Sequence, residues 1–277
     1  MNVYVVISNA GVPLKEMIIL IHSSKTMRDP SEDSKRVLDA PLLLSRATEL
    51  ATYLKELSVA DIQKTMAISE KLAITTNTLF QRWTTEPSQQ REAIDSFLGD
   101  IYSGLQVHQW SAKDRSYAND HLRILSGLYG IIKPLDGIFP YRLELGYKLP
   151  DPAYKNLYTF WGTSIVETLP KDEMIVDLSA VEYGKTVTAH RDTDAIITPR
   201  FLTVSPKTGE PTFVVVHAKI ARGAFASWMI RNNIDDPREL LNFNEIGYTY
   251  DESLSTDQSP VFVCKKFGGL GLSVRLS

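Results

Sequence analysis

A polar segment near the start of the chain has the composition of an anion-binding loop. His22–Thr26 (HSSKT) directly follows the apolar run Met17–Ile21, which is typical of a buried strand that ends in a loop. Hydroxyl groups, an ammonium group and free backbone N–H groups can together hold a phosphate or carboxylate. The side chains with this capacity are Ser23, Ser24, Lys25 and Thr26. The glycines of a P-loop are absent, so a solvated end of a strand is the alternative interpretation.

A second group of polar residues lies in the segments Val181–Thr186 (VEYGKT) and His217–Phe225 (HAKIARGAF). Lys219 and Arg222 stand where a strand pattern changes into a helix pattern, and their spacing places them on one face of that helix. Cations at a helix N-terminus are unfavourable unless an anion binds there, so this pair favours an anion site. The candidates for proton transfer are Glu182, Tyr183 and Lys185, together with Lys25; for Glu182 and Tyr183, roles in ion pairs are the alternative.

The segment Arg123–Gly146 (RILSGLYGIIKPLDGIFPYRLELG) is apolar and yet rich in glycine and proline, a combination that surface loops and core strands both avoid. Its SGLYG motif suits a helix C-cap followed by a tight turn. It also suits the hairpin of a helix-hairpin-helix element, in which glycine N–H groups contact a DNA phosphate. The residues that would make such contacts are Arg123, Ser126, Gly127, Gly130, Lys133 and Arg142.

Composition and missing motifs narrow the classes of function. The 277-residue chain has a formal net charge of −3 and a pI near 6.0, so only a local basic patch could attract DNA. The five histidines have no metal-binding spacing, and the single cysteine, Cys264, is expected to lie in an edge strand, so we expect no metal site. Neither a dinucleotide fingerprint nor a GxSxG motif is present, and we expect no cofactor.

The apolar run near the N-terminus is too short to span a membrane, and the residues before it make a poor signal peptide. We therefore expect a cytoplasmic protein without a membrane partner. Residues 1–16 are predicted to form a peripheral N-terminal extension, and residues 29–39 to form a mobile polar loop.

Apolar periodicity predicts the order of helices and strands. The predicted strands are Met17–Ile21, Met174–Ser179, Ala195–Leu202, Thr212–His217, Gly247–Tyr250 and Val261–Lys265. The predicted helices are Pro41–Leu57, Ser58–Leu72 with a capping box at Ser58, Ala73–Trp83, a helix capped by Ser111 that runs through His121 to Leu125, Ala221–Asn232 and Pro237–Leu241. The pattern predicts a single α/β domain over 17–277, with a mixed sheet and a helical insertion after the first strand. The aromatic FWGTS segment, Phe160–Ser164, is assigned to the core.

Several of these segments together resemble the YaaA family of bacterial peroxide stress proteins. ILIHSSKT is similar to the family's ILISPAKT, and FLGDIYSGL to its FxGDxYxGL pattern. The block His121–Gly146 resembles the family's HLRxLSGLYGxLRPLDxxxPYRLEMG almost throughout. LYTFWG, KIARG and FNEIGY are similar to its LYxFWG, KKARG and FNSEGY motifs. The resemblance extends over nearly the whole chain from Met17 onward.

The resemblance implies a one-domain α/β protein of unusual topology, with a basic cleft and a helix-hairpin-helix-like element. It also implies DNA binding and protection from oxidative damage that is connected with iron. The chain departs from the family pattern in HSSKT, at Asp177-Leu178-Ser179-Ala180, at Ile220 and at Glu245. If these positions lie in the cleft, the lost lysine and the added carboxylates lower its affinity for phosphate.

Two functional hypotheses follow, beside a scaffold in which the glycine-rich segment is only structural. The first is a stress protein whose basic cleft binds duplex or branched DNA. The second is a divergent enzyme that acts on a small anionic substrate, such as a nucleotide or nucleobase derivative. In the second, Ser23, Ser24, Lys25, Lys219 and Arg222 would hold the anion at the ends of several strands.

Overall fold

The structure of the protein is a computed structural model that describes residues 17–30 and 38–268. In this part of the chain the strands are β1 (Met17–His22), β2 (Thr26–Met27), β3 (Arg91–Glu92), β4 (Phe97–Leu98), β5 (Leu122–Ser126), β6 (Gly130–Ile132), β7 (Gly137–Ile138), β8 (Met174–Asp177), β9 (Ile196–Ile197), β10 (Arg200–Val204), β11 (Pro211–Thr212), β12 (Tyr248–Tyr250) and β13 (Val261–Cys264). The α-helices are α1 (Leu44–Glu56), α2 (Val59–Met66), α3 (Glu70–Arg82), α4 (Ala93–Ser96), α5 (Asp100–Leu105), α6 (Ala112–His121), α7 (Leu157–Trp161), α8 (Ser164–Glu167), α9 (Val181–Thr188) and α10 (Val215–Asn232). The predicted N-terminal extension, and residues 31–37 of the predicted polar loop, lie outside the described residues.

A mixed five-stranded sheet has the strand order β6-β5-β1-β8-β9. Neighbouring strands are parallel from β5 to β9, whereas β6 pairs antiparallel with β5. Every residue of β1 is buried, which explains its continuous apolar run, because a parallel strand covered on both faces has no solvent-facing side. The helices α1 to α3 follow β1, so the predicted helical insertion is confirmed.

A second sheet, of order β11-β10-β13-β12, lies in the C-terminal part of the chain. Its buried face carries Phe201 and Phe262, which stack with ring centroids 5.5 Å apart. Cys264 is buried in β13, which lies between β10 and β12. The prediction of an edge strand for Cys264 is therefore wrong: the alternation of VFVC is also that of an inner strand.

Helices α5 and α10 cross with their backbones almost in contact, and two glycines make this possible. A Cβ atom added to Gly104 would lie 2.0 Å from the Ile220 carbonyl oxygen, and one added to Gly223 would lie 1.9 Å from the Ile101 carbonyl oxygen. Only glycine permits such an approach. The crossing brings the FLGDIYSGL motif, which includes α5, into contact with the KIARG motif of α10.

The predicted caps of the helices are confirmed, and some helix ends are corrected. Ser58 forms a capping box with Asp61, and Ser111 forms one with Asp114. The helix that starts after Ser111 ends at His121, so its predicted continuation to Leu125 is wrong: residues 122–126 pair with β1 as the buried strand β5. Periodicity alone does not distinguish such an apolar run from a buried helix.

Two further predictions in the C-terminal half are corrected. The segment 212–217 is a strand only at β11, and the helix α10 already begins at Val215. Its run of valines favours a strand, but packing of the helix overrides that preference. The segment Pro237–Asn242 is a 3₁₀ helix. No helix within the described residues is long and apolar enough to cross a membrane.

Candidate functional site

Three neighbouring parallel strands end together at one edge of the five-stranded sheet, and polar residues stand at each end. Strand β1 ends at His22 and is followed by Ser23; β5 ends at Ser126, and β8 ends at Asp177. The central strand β1 has β5 on one side and β8 on the other. Connections that leave to opposite sides open a crevice beyond the carboxyl ends of such strands, and this is where open α/β sheets bind ligands.

His22 is fixed by contacts to its ring and to its backbone. The Ala180 backbone N–H donates to Nδ1 over 3.1 Å, and the Tyr183 ring stacks on the imidazole with centroids 5.0 Å apart. The Tyr102 hydroxyl donates to the His22 carbonyl oxygen over 3.1 Å. Burial, reinforced by the positive charges of Arg222 and Lys219, lowers the pKa of His22 to about 3. The imidazole is therefore neutral at physiological pH.

Buried hydroxyl groups lie beside His22. The Ser126 and Tyr141 hydroxyls are 2.6 Å apart, and the Tyr129 N–H donates to the Ser126 oxygen over 2.9 Å. The Ser23 hydroxyl interacts with both the Tyr141 and Tyr183 phenols, which partly offsets the effect of burial on them. Burial nevertheless raises the pKa of Tyr141 to about 12 and that of Tyr183 still further, so both phenols stay protonated.

Asp177 supplies the carboxylate of the site. Its Oδ1 accepts hydrogen bonds from the Ser179 N–H and hydroxyl, at 2.9 and 2.6 Å. Burial raises the pKa of Asp177, while the Ser179 hydrogen bonds and the charge of Arg222 oppose that rise. Gly184 on α9 lies against this carboxylate, since a Cβ there would be 2.4 Å from Oδ2.

The basic residues of the site come from α10. Arg222 and Lys219 are partly buried and face the edge where β1 and β8 end, because their charges act on His22 and, for Arg222, on Asp177. Burial lowers the pKa of the Arg222 guanidinium, and Asp177 opposes that shift. No hydrogen bond or salt bridge joins either cation to another residue in the described part of the chain. They lie one and two turns inside α10 rather than at its N-terminus, which corrects the predicted position.

Lys25 and Arg142 lie beside this edge of the sheet, and both already have partners. The Lys25 ammonium is 2.7 Å from the Glu144 carboxylate, and hydrogen bonding to Glu144 raises the pKa of Lys25. The Arg142 guanidinium donates to the Lys25 carbonyl oxygen over 3.2 Å. Ser24 is half-buried, and its hydroxyl accepts from the Thr26 N–H over 3.3 Å. This part of HSSKT is therefore held by its own loop and by the 142–147 segment.

Of the residues predicted to transfer protons, only Tyr183 lies among the buried groups of the site. The Glu182 carboxylate accepts from the Gly146 N–H over 2.7 Å, outside the hydroxyl cluster. The exposed Lys185 ammonium lies 4.0 Å from the centre of the Tyr158 ring. Both side chains attach α9 to neighbouring segments.

The residues predicted to contact a DNA phosphate from the glycine-rich segment are scattered. The Arg123 guanidinium is buried and donates to the Asn119 and Leu122 carbonyl oxygens, at 3.0 and 2.9 Å. The Lys133 N–H donates to the buried Asp136 carboxylate over 2.8 Å. The SGLYG motif is the turn between the antiparallel strands β5 and β6, so the helix-hairpin-helix element is not confirmed.

The two glycines of that turn face the interior of the protein. A Cβ on Gly127 would be 2.4 Å from the Leu143 carbonyl oxygen, and one on Gly130 would be 2.9 Å from the Trp161 ring. Gly130 also has a positive φ of 70°, which favours glycine. Trp161 is fully buried and donates to the Gly127 carbonyl oxygen, so the predicted core role is confirmed for the aromatic residues of FWGTS, Phe160 and Trp161. This part of the glycine-rich segment is thus packed into the interior of the protein.

Comparison with known proteins identifies the family of this chain. The sequence profile of the family described as peroxide stress protein YaaA matches residues 17–254. The chain belongs to the YaaA peroxide stress protein family. It is 57% identical to a UPF0246 protein of Salinispora tropica over 94% of this chain and 98% of that relative. It is 40% identical to a UPF0246 protein of Marinomonas sp. over 89% of this chain and 96% of that relative.

The departures from the YaaA pattern fall in different places. His22, Ser23 and Asp177 lie at the strand ends of the candidate site. Ile220 is fully buried at the crossing of α5 and α10, and Glu245 forms a salt bridge with Arg231 at 2.8 Å. These last two positions therefore belong to the packing and to a surface ion pair, not to the site.

The sequence-based predictions include no binding or catalytic role for His22 or Tyr141, and they treat Asp177 only as a departure from the family pattern. His22 and Asp177 are the final residues of buried strands, and this was a usable signal, because strand ends form the edge where ligands bind. Tyr141 gave no such signal, since its place beside Ser126 depends on the path of the 126–141 segment in three dimensions.

Proposed function

We propose that this protein binds a small anionic substrate, such as a nucleotide or nucleobase derivative, at the carboxyl ends of β5, β1 and β8, and that it acts on that substrate as an enzyme. The observation that carries the proposal is Arg222. A partly buried guanidinium loses hydration, and it is normally compensated by a carboxylate or by hydrogen-bond acceptors. Among the described residues Arg222 forms no hydrogen bond or salt bridge, and Asp177 acts on it only through its charge, so an anion from solution is the partner that its position favours.

The surroundings of Arg222 support an anion rather than a cation. Lys219 adds a second positive charge on the same face of α10, and neither cation is neutralised by a salt bridge to a described residue. Asp177 acts on Arg222 through its charge, but no hydrogen bond or salt bridge joins the two side chains, so it does not occupy the donors of the guanidinium. We infer that Arg222 and Lys219 hold the anionic group of the substrate.

The same site offers groups for proton transfer next to that anion. Tyr183 and Tyr141 remain protonated and can donate hydrogen bonds to developing negative charge. Asp177 can accept a proton, and its raised pKa brings it closer to the range in which general acid–base catalysis is effective. Perturbed titratable groups that cluster at a ligand-binding edge favour an enzyme over a purely structural protein.

DNA binding has weaker support from the same geometry. Arg123 is buried and donates to a carbonyl oxygen of α6, and Lys25 is neutralised by Glu144. The glycines Gly127 and Gly130 pack against Leu143 and Trp161, which leaves no space there for a phosphate. A duplex also requires an extended basic surface, and the chain has a net charge of −3.

Binding of small anions and of DNA can be compared directly in variants of one helix. Wild type, Arg222→Gln and Arg231→Gln are titrated by calorimetry with inorganic phosphate, adenosine monophosphate and duplex or branched DNA at two salt concentrations. Arg231 is a matched control, because it lies on α10 but is already paired with Glu245. We expect phosphate and the nucleotide to bind wild type and Arg231→Gln equally, and Arg222→Gln to lose about ten-fold or more in affinity.

The outcomes separate the two hypotheses. Equal phosphate affinity in all three proteins would contradict the proposal. Tight, salt-dependent DNA binding without binding of either small anion would replace it with the DNA hypothesis. Because the family is described by peroxide stress, we also expect cells that carry only Arg222→Gln to survive a peroxide challenge less well than cells that carry Arg231→Gln.

A further inference from the structure

The tautomer of His22 follows from its hydrogen bond to Ala180. The Ala180 backbone N–H can only donate, so Nδ1, at 3.1 Å, must accept through its lone pair. In a neutral imidazole the proton is then on Nε2. Among the described residues none accepts a hydrogen bond from that nitrogen. The ring therefore keeps one uncommitted donor.

The charged and titratable groups around the ring keep it neutral. Arg222 and Lys219 from α10 oppose a positive charge on the imidazole, and burial opposes it further. Tyr183 from α9 stacks on the ring as an uncharged phenol, and Tyr102 from α5 bonds only to the backbone of His22. Protonation of Nδ1 would also break the hydrogen bond from Ala180.

We propose that His22 is a ligand-binding residue whose neutral Nε2–H donates to an oxygen of the same anion that Arg222 and Lys219 hold. This inference rests on the proposed function and adds to it the geometry of the ligand. A guanidinium and an imidazole N–H at one site are best matched by an anion with at least two acceptor oxygens on one centre, as in a phosphate, a sulfate or a carboxylate. A neutral donor adds direction without adding charge, so binding through it does not depend on histidine titration.

A pair of substitutions separates the two nitrogens of the ring. His22→Asn keeps an acceptor close to the position of Nδ1, for the Ala180 N–H, but has no donor at the position of Nε2. His22→Gln places an amide N–H near Nε2 and gives up the Nδ1 acceptor. We expect His22→Asn to remain folded and to bind sulfate about ten-fold more weakly than wild type, and His22→Gln to recover much of that loss.

Sulfate is the probe because it does not titrate between pH 8 and pH 5. We expect the affinity of wild type for sulfate to stay constant over this range. The same titration in an Asp177→Asn variant measures any contribution that protonation of Asp177 makes to the pH dependence, and this contribution is subtracted. An affinity that rises on acidification only when His22 is present would show a cationic imidazole and would overturn the inference. Equal sulfate affinity in wild type, His22→Asn and His22→Gln would also overturn it.

The test distinguishes this inference from the proposal on which it rests. If Arg222→Gln loses sulfate binding while both His22 variants keep it, the anion site stands and the role of His22 fails. If wild type does not bind sulfate or phosphate, both fail together. Nitrogen-15 spectra of labelled histidine give an independent readout: we expect a protonated Nε2 and a bare Nδ1 at His22 throughout, and the opposite tautomer would refute the assignment.

Discussion

The crossing of α5 and α10 predicts a large and specific effect for Gly223→Ala. The added Cβ would lie 1.9 Å from the Ile101 carbonyl oxygen, whereas ordinary contacts begin near 3.4 Å, so the two backbones must move apart by roughly 1.5 Å. Overpacking of this kind costs about 1–3 kcal/mol, and the three nearest atoms, from Ile101 and Leu105, are backbone atoms that cannot rotate away, which favours the upper value. Replacing glycine by alanine inside a helix stabilises the helix by about 1 kcal/mol, which offsets part of this cost.

The expected net destabilisation is about 2 kcal/mol, which lowers the melting temperature by about 4–8 °C in a chain of this size. Because α10 carries Lys219 and Arg222, we also expect weaker phosphate binding. The assay is thermal unfolding with and without phosphate. Gly209→Ala is the control: its Cβ meets no atom within 4 Å, although φ is 74°, so we expect a loss of about 1–2 kcal/mol without an effect on phosphate.

Helix propensity alone predicts the opposite result for Gly223→Ala. A melting temperature equal to or above that of wild type, with unchanged phosphate affinity, would refute the reasoning from close backbone contact. A lower melting temperature with unchanged phosphate affinity would keep the packing argument. It would remove the link between the crossing and the site.

Three further predictions concern the site and its rim. Lys25→Met should change stability by less than about 1 kcal/mol in urea unfolding and should reduce phosphate affinity less than two-fold, because Glu144 already neutralises a half-exposed Lys25. Tyr141→Phe should cost about 1 kcal/mol in the same assay, because it removes the hydroxyl 2.6 Å from Ser126 in a buried setting. The unfolded chain takes up a proton at His22 below about pH 6.5, whereas the folded chain does so only near pH 3. Wild type therefore loses about 2 kcal/mol of folding free energy at this residue between pH 7 and pH 5. His22→Asn should not show this part of the loss.

Each of these has a clear contrary result. A loss of ten-fold or more in phosphate affinity for Lys25→Met would place Lys25 in the site and not in a rim salt bridge. Unchanged stability of Tyr141→Phe would show that the hydroxyl pair adds nothing to folding. Equal acid sensitivity of wild type and His22→Asn, measured by urea unfolding at both pH values, would contradict a neutral buried imidazole.

The features that could be predicted from the sequence are those with local causes. The Ser58 and Ser111 caps depend on residues three positions apart, and both capping boxes are present. The strand β1 can be predicted because its apolar run is continuous and too short for a typical helix. The general position of the site follows from polar residues after strands, as at Ser23 and Asp177.

The remaining features depend on contacts between distant parts of the chain. The HSSKT sequence predicts that Lys25 is a free cation, because only the fold brings Glu144 to within 2.7 Å of it. The sequence predicts that Arg123 contacts a phosphate, but the pairing of β5 with β1 buries its side chain against the end of α6. The start of α10 at Val215 contradicts its local strand preference, because burial of the helix outweighs β propensity.

The most direct test of the anion site is nuclear magnetic resonance of arginine side chains during a phosphate titration. Arg222 and Arg231 lie on the same helix. Arg231 forms a salt bridge with Glu245, whereas Arg222 forms no salt bridge or hydrogen bond with a described residue. The anion site predicts that the Nε–H resonance of Arg222 shifts in a saturable way, with the dissociation constant found by calorimetry, while that of Arg231 stays in place. A stationary Arg222 resonance at saturating phosphate, or equal shifts at both arginines, would contradict it.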